Sequence, residues 1–317
     1  MHNHRFQTAL VCSAILASVS PARAWDSKGH MMVAYIAYQQ LVPSVRDRVD
    51  QLLALNPLHD QWLSIMPSDV SDLEKRRDVF VLAATWPDLI RSDPAYSDDG
   101  TQGGNLPDSA SSSQNTGYGD KLRHRYWHFV NAPFSNDGTS LPFIPEPNAQ
   151  ERIHVFRTVI ASSTATDAVK SYDLVWLLHL IGDVHQPLHA ATRVSAGQPE
   201  GDRGGNLVSL CSAPCRDELH GFWDDILGVE QTVGAAEGLA ATLPAAPSAD
   251  ANTLDEAIWV KDSFSLAKAS VYQSPIGAGA GPFTITPAYQ ASAKTLATKQ
   301  IALAGARLGN VLNAELK

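Results

Sequence analysis

Apolar residues recur at helical spacing along most of this chain and are separated by polar, glycine-rich stretches. Leu174, Leu177, Leu178 and Ile181 stand three or four residues apart, which predicts a buried helix over residues 168–183. Further helices are predicted over residues 31–41, 43–53, 69–82, 151–163, 234–243, 254–272 and 287–312. Helices of this length can pack against one another as one bundle-like core.

Stretches without hydrophobic periodicity are predicted to be loops. They cover residues 92–120, 133–148, 243–252 and 274–281. Val208 and Leu210 indicate a short strand of a hairpin. The pattern therefore predicts a mainly α, single-domain protein with a helical bundle-like core, long loops and at most a short β-hairpin.

The first 24 residues have the pattern of a secretory signal peptide. Arg5 precedes an apolar run over residues 9–19, which is too short to cross a bilayer, and Ala22-Arg23-Ala24 fits a cleavage site. We expect cleavage after Ala24, a secreted or periplasmic protein comprising residues 25–317, and no membrane span.

The charge balance limits what the protein can bind unaided. The full chain has 24 Lys and Arg residues against 33 Asp and Glu residues, and loss of Arg5 and Arg23 with the signal peptide leaves a net charge of −11. A protein that binds polyanions without metal is expected to be basic. If this one acts on phosphates, bound cations must supply the positive field.

After the signal peptide the chain has two cysteines, Cys211 and Cys215. In an exported protein a disulfide between them is favoured over two free thiols. A four-thiolate zinc site is excluded by number, so any metal must be held by histidine and carboxylate.

The most informative stretch is residues 178–189. His179 and Asp183 stand four residues apart and share one helix face, and Pro187 should turn the chain so that His189 returns toward that face. This is metal-ligand spacing, although a buried histidine beside its hydrogen-bonding aspartate is the ordinary alternative. A second pair, His220 and Asp224, repeats the spacing and favours metal.

Other residues extend the candidate set. Pro87 begins a helical turn that carries Asp88 and Arg91, for which a surface ion pair is the alternative, and cleavage after Ala24 would make the Trp25 α-amine a possible ligand. The candidate ligands number nine, which is more than one tetrahedral ion can take and suits a cluster of ions that share a carboxylate. Zinc is favoured for such ligands, with manganese or iron as alternatives. The candidates are Trp25, His30, Asp88, His128, His179, Asp183, His189, His220 and Asp224.

Together these residues carry a family resemblance. The chain resembles the three-zinc single-strand nucleases of the nuclease I type, also called 3′-nucleotidase/nuclease, which are related to zinc phospholipase C. A single cysteine pair fits an exported bacterial member. The shared motifs are Trp86-Pro87-Asp88-Leu89-Ile90-Arg91, Trp127-His128-Phe129, His179-x3-Asp183-x-His185-Gln186-Pro187-Leu188-His189, Gly204-Gly205-Asn206 and Leu219-His220-x2-Trp223-Asp224.

The resemblance implies three zinc ions. One would be bound by Asp88, His128, His179 and Asp183. A second would be bound by the Trp25 amine and carbonyl, His30 and the shared Asp183. A third would be bound by His189, His220 and Asp224.

It also implies a substrate and a reaction. RNA and single-stranded DNA would be cut to 5′-phosphate products by an activated water that attacks phosphorus, and 3′-phosphates would be removed from nucleotides. Arg91 would neutralise developing charge beside Asp88. Phe129 would stack on a base, Asn131 would contact a base edge and Asn206 would contact the nucleotide.

Asn131 departs from many eukaryotic relatives, which have aspartate there, so base preference is open. The rival hypotheses are a zinc phospholipase C or phosphodiesterase on the same scaffold and a non-catalytic exported zinc-binding protein. We expect a monomer without a stable protein partner.

Overall fold

The computed structural model describes residues 25–100, 117–212 and 217–316. The expected signal peptide and Cys215 lie outside these ranges, so the predicted cleavage and the predicted Cys211–Cys215 disulfide stay predictions. Helices dominate the described part of the chain. They are α1 (Ser27–Gln40), α2 (Pro43–Leu53), α3 (His59–Ser64), α4 (Asp72–Ala83), α5 (Trp86–Leu89), α6 (Ala149–Ala161), α7 (Asp167–Asp183), α8 (Leu219–Asp224), α9 (Val233–Ala240), α10 (Ser248–Ala251), α11 (Glu256–Leu266) and α12 (Pro287–Glu315).

Side-chain caps begin many of these helices. Asp26 caps α1 by accepting a hydrogen bond from the Gly29 N–H, and Ser71 and Glu74 form a reciprocal capping box at the start of α4. Thr286 caps α12, which has Pro287 in its first turn. These local signals explain why several helices begin close to the predicted positions.

Helix α7 forms the centre of the fold. Every residue from Lys170 to Asp183 is buried, and α1, α2, α5, α6 and α12 all pack against this helix. Gly305 of α12 allows close approach to α1, because a Cβ at Gly305 would lie 2.6 Å from the Ile36 Cβ. The polar residues at the end of α7 are therefore held inside a densely packed interior.

The mainly α fold class is confirmed, but the small sheet differs from the expected hairpin. Strand β1 (Ala132–Ser135) pairs in parallel with β2 (Ala191–Val194), with Ala132 opposite Ala191. A parallel pair cannot be closed by a tight turn, and here α6 and α7 lie in the connection. Near the predicted hairpin the described residues contain an isolated antiparallel bridge between Ser209 and Glu218.

Helices α3 and α10 were not predicted, and residues 267–271 continue α11 as a π-helical turn. None of the described helices has the length and apolar character needed to cross a bilayer.

Candidate metal centre

The end of α7 supplies the first two predicted ligands. His179 and Asp183 are fully buried one turn apart, and His179 Nε2 lies 3.3 Å from Asp183 Oδ2. His179 Nδ1 lies 2.8 Å from the backbone oxygen of Ala84. Because this contact uses the Nδ1 proton, Nε2 is left as a lone pair that faces inward.

Asp183 lies at the centre of the predicted ligands. Its Oδ2 is 3.1 Å from His128 Nδ1, and its Oδ1 is 3.3 Å from His30 Nε2. Burial alone would raise the pKa of this carboxyl, but the imidazoles of His179 and His189 lower it well below its ordinary value. One ionised carboxylate thus presents its two oxygens to different imidazoles, as a shared metal ligand must.

Asp88, in the last turn of α5, lies near two of the same imidazoles. Its Oδ1 is 3.8 Å from His179 Nε2, 3.9 Å from His128 Nδ1 and 3.0 Å from Arg91 Nη1. Burial raises the pKa of Asp88, but His179 and Arg91 outweigh burial and bring it to about 2. Arg91 is itself held, because Arg125 Nη2 donates to its backbone oxygen at 2.7 Å.

A separate group combines His189, His220 and Asp224. The Nε2 atoms of the two histidines are 3.1 Å apart, and His220 Nε2 is 3.5 Å from Asp224 Oδ2. His189 Nδ1 lies 2.6 Å from the His128 oxygen and His220 Nδ1 lies 2.7 Å from the Gly204 oxygen. The backbone thus fixes both rings with a nitrogen lone pair facing inward.

The turn that carries the Gly204 oxygen requires glycine. Gly204 has a φ of +61°, and a Cβ there would lie 2.4 Å from the Leu188 oxygen. The turn is braced by Asp202, which is fully buried and whose Oδ1 accepts hydrogen bonds from the Arg193 N–H, the Gly205 N–H and the Tyr272 hydroxyl.

Across the described residues, the eight predicted side-chain ligands fall into three groups whose potential ligand atoms lie within 4.8 Å of one another. The groups are His30, Asp88 and His179; His128, His179 and Asp183; and His189, His220 and Asp224.

The donor chemistry of these groups fits divalent cations. Several buried ligand atoms have no hydrogen-bond partner within the described ranges, including both nitrogens of His30, Asp88 Oδ2, Asp183 Oδ1 and Asp224 Oδ2. Burial lowers the pKa of His128 to about 4 and that of His220 to about 3, which keeps both rings in the neutral form that binds metal. Burial also raises the pKa of Asp224. A cation beside that carboxylate would supply the missing compensation.

Trp25 and Asp26 contact the backbone at or beside two of the predicted ligands, Asp183 and Asp224. The Trp25 ring is buried, and its Nε1–H donates to the backbone oxygen of Gly182 at 3.1 Å. The backbone N–H of Asp26 donates to the backbone oxygen of Asp224 at 3.2 Å. Ligation through the Trp25 amine depends on cleavage and stays a prediction.

Two of the three predicted substrate residues, Phe129 and Asn131, closely follow the predicted ligand His128 in the chain, and Asn206 follows the Gly204 turn. Phe129 is half-buried against the main core, and Asn131 has a left-handed φ of 52°. The backbone N–H of Asn131 faces the His189 oxygen at 3.5 Å. Asn206 is half-buried, and its Nδ2 donates to the Arg203 oxygen at 2.6 Å. Their contacts with substrate stay predictions.

Sequence reasoning missed Gln186 and Asp202 as parts of the centre. Gln186 Nε2 donates to Asp224 Oδ1 at 2.8 Å. Gln186 belongs to the motif that contains His179 and His189, and Asp202 lies two residues before Gly204-Gly205-Asn206. Neither a glutamine amide nor a turn aspartate has a metal-ligand spacing that would reveal it. His185, which lies beside Gln186, accepts a hydrogen bond at Nε2 from Arg307 Nη1 at 2.9 Å.

The family model for S1/P1 nuclease matches residues 25–317. The chain belongs to the S1/P1 nuclease family. The predicted resemblance is therefore confirmed, and the match begins at Trp25, the first residue after the expected signal peptide.

Two relatives of this family member come from Arabidopsis thaliana. Endonuclease 1 is 25% identical over 218 residues, which cover 66% of this chain and 56% of the relative. Endonuclease 4 is 32% identical over 73 residues, or 22% of each chain. The matched part thus spans about half of Endonuclease 1 and about a fifth of Endonuclease 4.

Proposed function

We propose that the protein is an exported zinc-dependent nuclease. It hydrolyses the phosphodiester bonds of RNA and single-stranded DNA to 5′-phosphate products, and it removes 3′-phosphates from nucleotides. The observation that carries this proposal is the Asp183 carboxylate, whose two oxygens face His30 on one side and His128 and His179 on the other. Membership of the S1/P1 nuclease family supports a nucleic acid as the substrate.

Three zinc ions would be bound in the arrangement that the resemblance implies. Asp88, His128, His179 and Asp183 bind one, Trp25, His30 and Asp183 the second, and His189, His220 and Asp224 the third. When bound, zinc supplies Lewis acidity that polarises a phosphoryl oxygen and lowers the pKa of water. The neutral imidazoles of His128 and His220 and the ionised carboxylates of Asp88 and Asp183 are the forms that bind zinc. A bound cation would also favour the ionised form of Asp224.

Arg91 binds the phosphate of the substrate. Its guanidinium is held by Asp88 at 3.0 Å and its backbone by Arg125, so it is already oriented before substrate binds. Remaining donors of the guanidinium bond to the phosphoryl oxygens, which become more negative as the reaction proceeds. In a chain of net negative charge this local cation also favours the approach of a polyanion.

Phe129, Asn131 and Asn206 bind the nucleotide. The partly exposed Phe129 ring stacks on a base, which tolerates any base because each has a π-face. The Asn131 amide both donates and accepts hydrogen bonds, so it reads base edges differently from an aspartate. Export, the Cys211–Cys215 disulfide and a monomeric state belong to the same proposal.

The test uses the processed protein with its zinc. Single-stranded RNA, single-stranded DNA and a 3′-mononucleotide are incubated before and after chelation, and the product ends and the zinc content are determined. We expect chelator-sensitive release of 5′-phosphate ends, restored by zinc, with about three zinc ions per chain. Cleavage of a choline phospholipid without nucleic acid cleavage would favour the phospholipase alternative. Full zinc loading without phosphoester hydrolysis would favour a binding protein.

A further inference from the structure

Gln186 connects two parts of the metal centre that are distant in the chain. It is fully buried just after α7, before the 3-10 turn Pro187–His189. Its Nε2 donates to Asp224 Oδ1 at 2.8 Å, and its Oε1 accepts from the Leu188 N–H at 2.6 Å. One end of the amide therefore holds a predicted ligand, and the other end holds the turn that carries His189.

We propose that Gln186 is a positioning residue for the metal group of His189, His220 and Asp224. This inference rests on the proposed zinc-dependent function. Because Gln186 occupies Asp224 Oδ1, the carboxylate cannot rotate freely. Its other oxygen, Oδ2, stays 3.5 Å from His220 Nε2, buried and without a hydrogen-bond partner in the described ranges. Gln186 thereby directs one carboxylate oxygen toward a cation.

The chemistry of the amide suits this role. A lysine or arginine at the same place would neutralise Asp224 and compete with a metal ion for it. A glutamine amide donates a hydrogen bond without carrying charge, so the full negative charge of Asp224 remains for the cation. Partners that orient metal ligands act in this way, and their loss typically weakens metal binding about 10–100-fold.

The backbone that carries Gln186 is held from behind by α12. Arg307 Nη1 donates to His185 Nε2 at 2.9 Å, and Gln300 Nε2 donates to the His185 oxygen at 3.2 Å. Arg307 also packs over the Trp259 ring, 5.6 Å from its centroid. Although none of the predicted ligands lies on α12, this helix fixes the segment from which Gln186 reaches Asp224.

The experiment compares Gln186→Met with Gln300→Met. Both substitutions remove a buried amide of the same size, but Gln300 bonds a backbone oxygen and touches no predicted ligand. The full processed chains are loaded with zinc, the metal is counted, and affinity is measured by competition with a chelator of known affinity. We expect one zinc of Q186M to bind about 10–100-fold more weakly. Q300M should show a smaller loss, because it keeps both the Gln186–Asp224 bond and the Arg307–His185 bond.

Gln186→Asn provides a second variant in case Q186M does not fold. It keeps an amide in the buried site but is one methylene too short to span both partners, so the same loss is expected. Wild-type zinc content and chelator midpoint in a folded Gln186 variant would overturn the inference, whether or not the protein cleaves RNA. Conversely, the Gln186 variants could lose zinc affinity as expected while the wild-type protein fails to hydrolyse nucleic acid. That result would refute the proposed function and leave the role of Gln186 standing.

Discussion

Replacing Gly204 with alanine should destabilise the protein and weaken metal binding by the group of His189, His220 and Asp224. A Cβ at this position would lie 2.4 Å from the Leu188 oxygen, at a φ of +61°. The Gly204 oxygen also accepts the 2.7 Å hydrogen bond from His220 Nδ1. Any backbone shift that relieves the contact therefore moves the acceptor that orients His220.

Two costs add at Gly204. A left-handed conformation costs a residue with a Cβ about 1–2 kcal/mol. Overpacking against the backbone oxygen adds about 1–3 kcal/mol, because that oxygen belongs to the turn carrying His189 and cannot move alone. The expected loss is about 2–5 kcal/mol, which for a large domain lowers the melting temperature by about 4–20 °C.

Gly138→Ala is the matched control. Gly138 also has a positive φ, +81°, but a Cβ there would meet no heavy atom within 4 Å. It should therefore show the conformational cost without the steric cost, together with unchanged zinc affinity. Thermal unfolding and chelator competition on both variants check this. Equal melting temperatures for G204A and G138A, with equal zinc affinity, would refute the reasoning.

Three further changes test other parts of the structure. Arg91→Met should lower kcat on RNA about 100–1000-fold with unchanged zinc content, because a phosphate-binding cation is lost. The control is Arg76→Met, at a half-exposed arginine of α4. An unchanged rate in R91M would contradict the proposal. Chelation should lower the melting temperature, because buried Asp183 and Asp224 lose a countercharge. Zinc at about 1,000 times its Kd should restore about 4 kcal/mol of the free energy of unfolding. Identical melting with and without chelator would argue against a resident cation. Burial lowers the pKa of His124, but Asp120 and Asp99 outweigh it and raise the pKa above 6.5. The stability that His124 contributes is thus complete below about pH 6.5 and is lost as pH rises through its folded pKa. Urea unfolding from about pH 6 to 9 should show this fall in the wild type and a flatter profile in His124→Gln, and parallel profiles would contradict it.

Local signals predicted much of the helical framework. Helix α2 begins at Pro43 and ends at Leu53, as predicted, because proline marks its first turn and its apolar positions keep helical spacing. His179 with Asp183 and His220 with Asp224 could be paired because each pair spans one helical turn. Such features depend on residues close in the chain.

Tertiary partners could not be predicted in the same way. Strands β1 and β2 are four residues each, too short for an alternating pattern, and they pair across the α6–α7 connection. Only the family resemblance grouped His30 and Asp88 with the ligands of α7, since no spacing in the sequence links them to that helix. Gln186 and Asp202 act through hydrogen bonds whose partners are set only when the chain is folded.

The segment between β1 and α6 lies, along the chain, between residues that meet in the metal centre. It includes Phe143, whose side chain is strongly exposed, and it separates His128 in the chain from His179 and Asp183. Contacts of Ala84 with His179, of His128 with Asp183 and of β1 with β2 all cross this point of the sequence. A protease that nicks the exposed segment would therefore produce two fragments that remain one particle, with the candidate site still assembled at their junction.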